Sequence, residues 1–213
     1  FMCGIVGYIG PRAAQGILTG GLRRLEYRGY DSAGIATVNK SGEATLLRAN
    51  GKVAGLDALV QKNVKEDGVG IGHTRWATHG VPSERNAHPH KAGDIYLVHN
   101  GIIENYKELK QELTDHEFIS DTDTEVLAAL VNSFYDDATP LVDAVTQALK
   151  LVAGTYGIAV ISTRQPDEVI VARAGSPLIL GVGDDETLIG SDASALLGHT
   201  SQAIYLNDGE IAI

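Results

Sequence analysis

The residue with the most reactive side chain in this sequence is its single cysteine, Cys3, close to the amino end. Cys3 leads into Gly4–Ile9, an apolar segment that predicts a buried strand. A thiol there could be a nucleophile whose base is its own α-amine, because a thiol pKa of about 8.5 and an amine pKa of about 7.7–8.0 are well matched near neutral pH. The same residue could equally be a small apolar side chain of the core.

An amine base is available only if Cys3 is the first residue of the working protein, whereas Phe1 and Met2 precede it here. Phe1 ahead of a methionine is not a natural translation start, and we interpret it as a tag remnant. While both residues are attached, the nitrogen of Cys3 lies in a planar amide and is not basic. We therefore expect the chain to be impaired until its amino end is trimmed to Cys3.

A second set of candidate residues lies in the middle of the chain, in three polar segments: residues 73–80, 86–90 and 99–101. Arg75 could present its planar guanidinium to a carboxylate, or it could form an ordinary surface ion pair. Trp76 could cover a pocket or be a half-buried anchor. Asn100 and Gly101 could form a bare turn, or their side-chain and backbone N–H groups could converge as an oxyanion hole.

Asp123 is a candidate receptor for an ammonium group. Residues 122–125 read Thr-Asp-Thr-Glu, a capping box that predicts a helix with Asp123 at its first position. There the unpaired N–H groups and the helix dipole favour an ionised carboxylate. Ordinary first-turn capping would explain the residue as well.

Two other motifs point to no cofactor. The glycines of residues 68–72 enter a strand-like run instead of opening a helix, which is the wrong context for a dinucleotide loop. The histidines of the central segments show neither HExxH nor paired-cysteine spacing. We expect no metal and no cofactor.

Composition narrows the function classes. The 213 residues include 27 acidic and 17 basic side chains, for a net charge of −10, without a basic run. Such a surface repels nucleic acid and anionic membranes. No apolar run approaches the roughly 20 residues of a membrane span, and the amino end lacks signal-peptide features. With its single cysteine, this pattern predicts a cytoplasmic protein.

The apolar periodicity predicts one domain over residues 1–213. Helices are expected after Pro11, over 53–62, after Asn105, from Thr122 and from residues 139–140. Strands are expected at 33–38, 44–49, 69–74, 95–98, 156–162, 168–173, 178–182, 187–190 and 203–206. Residues 75–91 read as a long loop. Hairpins at both ends with helices between them favour a largely antiparallel α+β layered architecture.

Five motifs in one order carry a resemblance: residues 3–7, 27–34, 73–80, 99–105 and 122–125. Together they resemble the class II, N-terminal-nucleophile glutamine amidotransferases. Within that family, Tyr-Arg-Gly-Tyr-Asp-Ser at residues 27–32 is similar to the glutaminase domain of the glutamine–fructose-6-phosphate aminotransferases, or glucosamine-6-phosphate synthases. The glutaminase domain of another class II enzyme and an idle glutamine-binding module are the alternatives.

The resemblance implies a four-layer αββα sandwich of two antiparallel sheets, the Ntn-hydrolase fold. It implies that Cys3 is the nucleophile and its α-amine the base. Asn100 and Gly101 correspond to the oxyanion hole. Arg75 and Asp123 correspond to the clamps on the α-carboxylate and α-ammonium groups of L-glutamine.

The resemblance also implies roles at the edge of the site. Thr78 and His79 correspond to a loop that closes over the substrate, and Trp76 to a residue that gates ammonia passage. Arg28 corresponds to a supporting residue of the catalytic site. Enzymes of this kind continue into two sugar isomerase domains, which this chain does not contain, and the full-length protein is expected to be a homo-oligomer.

Overall fold

The computed structural model describes residues 3–76 and 82–213, so that Phe1, Met2, Thr78 and His79 lie outside the described residues. Within that part of the chain, the strands are β1 (Gly4–Ile9), β2 (Ser32–Val38), β3 (Ala44–Asn50), β4 (Val69–Arg75), β5 (His90–Ala92), β6 (Ile95–Ile103), β7 (Gly154–Ser162), β8 (Ile170–Ala174), β9 (Ile179–Val182), β10 (Thr187–Gly190), β11 (Gln202–Tyr205) and β12 (Ile211–Ala212). The α-helices are α1 (Ala14–Leu25), α2 (Val53–Lys62), α3 (Tyr106–Glu112), α4 (Asp123–Ser133) and α5 (Leu141–Leu149).

The strands form two antiparallel sheets. The seven-stranded sheet has the order β11-β9-β10-β1-β4-β2-β3, and the five-stranded sheet has the order β12-β8-β7-β6-β5. β1 and β4 are neighbours inside the larger sheet, and β6 pairs with β7 inside the smaller one. The first residues of the chain therefore lie beside the end of β4.

Three apolar clusters define the layers. Leu18 and Leu22 of α1 pack on the outer face of the seven-stranded sheet. Ile71 of β4 and Val98 of β6 belong to a cluster between the two sheets. Leu127 of α4 packs with α5 on the outer face of the five-stranded sheet. The layers run helices, sheet, sheet, helices, which confirms the αββα sandwich.

Apolar periodicity located most elements correctly. Four residues on one face of α1, Ala14, Leu18, Leu22 and Leu25, are all fully buried. α2 has the bounds that its sequence predicts. In the described residues no helix is both long and apolar enough to cross a membrane.

The end of β6 differs from the prediction. The apolar run predicts a strand over residues 95–98, with either a turn or an oxyanion hole at Asn100 and Gly101, whereas β6 continues to Ile103. Antiparallel pairing with β7 extends through Asn100–Gly157 and Ile103–Gly154. The polar residues of this stretch belong to the strand and line a cavity. A pattern of apolar residues therefore does not reveal this part of the strand.

The helices that follow Asn105 and Thr122 begin in different ways. Asn105 precedes α3, but its side chain does not cap that helix and instead bonds the backbone of Leu151 and Ala153, at 2.8 and 2.9 Å. Thr122 does cap α4, because its hydroxyl accepts from the Glu125 N–H at 3.3 Å. The Glu125 carboxylate instead accepts from the N–H groups of residues 119 and 120, so only half of the capping box forms.

Candidate active site

A cavity of about 260 Å³ lies where the ends of β1, β4 and β6 meet the start of α4. Six of the predicted site residues line it: Cys3, Arg75, Trp76, Asn100, Gly101 and Asp123. Residues that are distant in sequence meet there because β1 pairs with β4 and the end of β6 contacts both Cys3 and Asp123.

The Cys3 thiol lies against the backbone that follows β4. The Trp76 N–H donates to Cys3 Sγ at 3.2 Å, and Sγ lies 3.6 Å from the Trp76 carbonyl oxygen. Burial raises the pKa of the Cys3 thiol, while the Trp76 backbone and the charge of Arg75 act in the opposite direction. Without a base, the thiol is therefore a poor source of thiolate near neutral pH.

Gly29 allows a neighbouring loop to approach this backbone closely. A Cβ at Gly29 would lie 2.7 Å from the carbonyl carbon of Arg75 and 2.9 Å from the Trp76 nitrogen. Asp31 N–H donates to the Arg75 carbonyl oxygen at 3.1 Å in the same loop. The loop thus supports the segment that contacts Cys3 Sγ.

Asn100 and Gly101 lie on the other side of Cys3. Asn100 Nδ2 donates to the Cys3 carbonyl oxygen at 2.9 Å, and the Asn100 side chain is nearly buried. Gly101 has a φ of 132°, and a Cβ there would collide with the Thr155 carbonyl oxygen. Only glycine fits this position without strain. The side-chain amide and the following backbone are therefore held at fixed places beside the thiol.

Arg75 and Asp123 bring opposite charges to the cavity. Arg75 is only 4% exposed and Asp123 only 8%. Burial lowers the pKa of Arg75, and the charges of Cys3, Asp31 and Asp123 act in the opposite direction. Asp123 stands at the first position of α4, and its Oδ2 accepts from the Ile103 N–H at 2.8 Å. The cavity can thus receive a carboxylate and an ammonium on one small molecule.

Three buried histidines, which also line the cavity, form a hydrogen-bonded layer next to these groups. His73 Nε2 lies 3.0 Å from Asn100 Oδ1, and the His73 ring stacks on His88 with centroids 4.2 Å apart. The hydroxyl of Thr124 lies 2.8 Å from His88 Nε2 and 3.2 Å from His99 Nδ1. Burial lowers the pKa of His73 to about 3 and those of His88 and His99 below their usual value. These rings are neutral at physiological pH.

The remaining predicted residues lie at the edge of the site. Trp76 is half-buried and meets Tyr30 edge to face, with ring centroids 5.4 Å apart. Arg28 is not among the residues that line the cavity, and its guanidinium pairs with Asp192 at 2.5 Å. Asp192 caps the 3₁₀ turn that follows β10, the neighbour of β1. Arg28 therefore contacts the scaffold of the site and not the cavity.

Several lining residues were not found from sequence: Thr124, Thr155, Ser176 and Pro177. Thr155 pairs with Ile102 across β6 and β7, and only that register reveals its proximity. The two threonines also accept or donate bonds in the histidine layer. Within the described ranges, no group of three or more His, Cys, Asp or Glu side chains is arranged to hold a metal ion.

Comparison with known sequences connects this geometry to a family. The pattern of the family described as "Glutamine amidotransferase domain" matches residues 47–212. The chain is 53% identical over its full length to the glutamine–fructose-6-phosphate aminotransferase [isomerizing] of Chlorobaculum tepidum, and 50% identical over 99% of its length to that of Haemophilus influenzae. It spans only 36% and 35% of these two relatives.

Solved structures share the fold. The glutamine phosphoribosylpyrophosphate amidotransferase of B. subtilis, complexed with ADP and GMP, superimposes with a TM-score of 0.81 at 28% identity, over 98% of this chain and 46% of that one. A glutamine aminotransferase class-II domain protein from Silicibacter pomeroyi has a TM-score of 0.63 at 15% identity, over 98% of this chain and 93% of that one. The second likeness concerns the fold alone.

Proposed function

The chain belongs to the glutamine amidotransferase family, and we propose that it is a glutaminase that hydrolyses L-glutamine to glutamate and ammonia through a thioester on Cys3. One observation carries the proposal: the thiol of Cys3, the cation of Arg75 and the carboxylate of Asp123 all line one cavity. A free amino acid offers both an α-carboxylate and an α-ammonium group, and this cavity offers a partner for each.

Substrate selection follows from the two buried charges. Arg75 would bind the α-carboxylate through its planar guanidinium, and Asp123 would bind the α-ammonium. An amide without these groups would make neither of the two charged contacts with the protein and would bind more weakly. The side-chain amide of glutamine would then reach toward Cys3 Sγ.

The reaction needs a base because burial raises the pKa of the thiol. The α-amine of Cys3 would take the thiol proton, and the thiolate would attack the side-chain amide carbon of glutamine. The amine would return the proton to the leaving nitrogen, which departs as ammonia. Water, activated by the same amine, would then hydrolyse the thioester to glutamate. The working form must therefore begin at Cys3.

Each attack places negative charge on the oxygen of the former amide carbonyl. Asn100 Nδ2 and the backbone N–H of Gly101 are the proposed donors to that oxyanion. The Asn100 side chain already contacts the backbone of Cys3 at 2.9 Å, which supports this assignment. Gly101 keeps a backbone conformation that other residues would not tolerate.

The edge of the cavity supplies the supporting roles. Trp76, which lines the cavity and contacts Tyr30, is proposed to gate the passage of ammonia. Thr78 and His79 are proposed to belong to a loop that covers glutamine. Arg28 is proposed to act at a distance, by holding Asp192 beside the scaffold of the site.

We further propose that the ammonia supplies glucosamine-6-phosphate synthesis from fructose 6-phosphate. The support is the printed name of the relatives at 50–53% identity, each of which is about three times as long as this chain. Residues 1–213 would be the single glutaminase domain of such an enzyme, with sugar isomerase domains elsewhere in a homo-oligomeric protein. A cytoplasmic setting suits a single cysteine that must stay reduced.

The test is a glutaminase assay on the chain that begins at Cys3. Ammonia and glutamate should appear in equal amounts, and mass spectrometry of the quenched enzyme should find a glutamyl group on Cys3. Cys3→Ala should bind glutamine without releasing ammonia. If the chain bound glutamine but released none, it would be an amino-acid-binding module and the proposal would fail.

A further inference from the structure

Asn100 has a partner that fixes which end of its carboxamide faces the cysteine. We propose that His73 is a positioning residue of the glutaminase, and that it orients the Asn100 carboxamide so that Nδ2 donates to the oxyanion. The inference rests on the proposed function, because the orientation affects turnover only if Asn100 donates during the reaction. His73 lines the same cavity, but the proposed role acts through its hydrogen bond to Asn100 and needs no contact with the substrate.

The hydrogen bonds of Asn100 determine the assignment of its amide atoms. The backbone carbonyl of Cys3 can only accept, so the atom of Asn100 that lies 2.9 Å from it must be Nδ2. The other amide atom, Oδ1, then faces His73 Nε2 at 3.0 Å. Since Oδ1 can only accept, Nε2 of His73 must carry a proton. A reversed carboxamide would place two acceptors against each other at the Cys3 carbonyl.

The surroundings of His73 hold its ring in the donating state. The side chain is fully buried in β4, between β1 and β2, and its ring is packed against His88 with an angle of 24° between the planes. Burial lowers its pKa to about 3, although its hydrogen bond to Asn100 opposes this shift. The neutral ring has one N–H, and no hydrogen-bond partner of Nδ1 occurs in the described part of the chain.

Loss of this donor would act on the reaction through Asn100. Asn100 is only 8% exposed, so bulk water cannot replace His73 as the hydrogen-bond donor to Oδ1. Without that bond only the Cys3 carbonyl would hold the carboxamide, which could then tilt Nδ2 away from the position where it donates to the oxyanion. Glutamine binding at Arg75 and Asp123 would be unaffected, because neither residue depends on this bond.

The experiment uses His73→Leu and His73→Gln in the protein that begins at Cys3. His73→Leu removes the donor and should lower kcat at least about tenfold, up to the 10²–10³ expected when an oxyanion donor is lost. KM should stay within about twofold. His73→Gln can place an amide N–H near the position of Nε2 and should recover most of kcat. Ile71→Ala, two residues away in the same buried strand, controls for loss of stability alone.

A double-mutant cycle separates positioning from a general structural role. In the Asn100→Ala background, His73→Leu should cause no further loss of kcat, because its effect passes through Asn100. The inference would be overturned if the kcat losses of the two single variants multiplied in the double variant, or if kcat were unchanged in His73→Leu. Nitrogen NMR of His73 in the unaltered protein tests the inference even if His73→Leu does not fold. A proton on Nε2 is expected, and a proton on Nδ1 would contradict the inference. Absence of glutaminase activity in the unaltered protein would instead reject the proposed function.

Discussion

The backbone N–H of Ile103 donates a 2.8 Å hydrogen bond to Oδ2 of Asp123, and this bond joins the end of β6 to the first residue of α4. Asn100 and Gly101 precede Ile103 in the same strand. The proposed ammonium receptor is thus hydrogen-bonded to the strand that carries the proposed oxyanion donors. A change at Asp123 can therefore be designed to remove its charge while the connection stays intact.

Asp123→Asn should weaken glutamine binding by roughly 2–5 kcal/mol if the ammonium pair is desolvated. Asparagine keeps an oxygen that can accept from Ile103 N–H, so the fold of the site should persist and the loss should appear mainly in KM. Asp143→Asn is the matched control, because it removes an exposed first-turn carboxylate from α5. Equal Michaelis constants for Asp123→Asn and the unaltered enzyme would remove Asp123 from the binding site.

Arg75→Lys should also raise KM, although the charge is preserved. The expected loss of binding free energy is again roughly 2–5 kcal/mol. Lysine offers a single ammonium and cannot make the two parallel bonds that a guanidinium makes to a carboxylate. Steady-state kinetics with L-glutamine measure the effect. Arg23→Lys, which changes an exposed ion pair between α1 and α2, should leave KM unchanged. A normal KM in Arg75→Lys would argue against a bidentate carboxylate clamp.

How much of this site was predictable can be judged from Asn100 and Arg28. The sequence placed Asn100 beside a glycine and indicated either a turn or an oxyanion hole, but not the β7 pairing that carries β6 past it. Register between distant strands depends on tertiary packing, which local periodicity does not encode. Arg28 fell within a motif of the site, yet its guanidinium pairs with Asp192, a contact 164 residues away in sequence.

Asn100→Ala should lower kcat by roughly 10²–10³ and change KM little, because the lost N–H matters most when the oxyanion forms. The comparison variant is Asn105→Ala. Asn105 also bonds the backbone of distant residues, at 2.8 and 2.9 Å, but it does not line the cavity. It should lose thermal stability and keep its kcat. A raised KM with normal kcat in Asn100→Ala would contradict the oxyanion role.

The buried histidines predict acid sensitivity of the fold. Burial lowers the pKa of His73 and His90 to about 3, against about 6.5 in an exposed chain. Below about pH 6.5 the unfolded chain therefore binds more protons, and each of these groups lowers the free energy of unfolding by up to about 1.4 kcal/mol per pH unit as pH falls toward 3.

His90→Gln should consequently flatten the dependence of the unfolding free energy on pH between about 6.5 and 3. Urea unfolding at several pH values measures the slope. Ile71→Ala removes buried volume but no titrating group, so its curve should lie below that of the unaltered protein and run parallel to it. An unchanged slope in His90→Gln would show that folding does not lower the pKa of His90.

The amino end provides the sharpest test of the mechanism. The proposed base is the α-amine of Cys3, and in a chain that retains Phe1 and Met2 this nitrogen is part of a planar, non-basic amide. No other base has been assigned to the thiol, whose pKa burial raises. The chain with residues 1–2 should therefore fold normally but release almost no ammonia, and trimming to Cys3 should restore turnover.

Both forms are compared at equal concentration for ammonia release, with circular dichroism to establish equal folding. Cys3→Ala in the trimmed chain sets the background rate. The pH profile of the trimmed form should show an inactive protonated amine at low pH, with an apparent pKa near the 7.7–8.0 of a free α-amine or below it. Equal activity in the two forms would require a different base, and the amine mechanism would then be abandoned even if Cys3 remained the nucleophile. The buried, neutral rings of His73 and His99 are poor substitutes, because His73 Nε2 already faces Asn100 and His99 lies between Thr124 and Thr155.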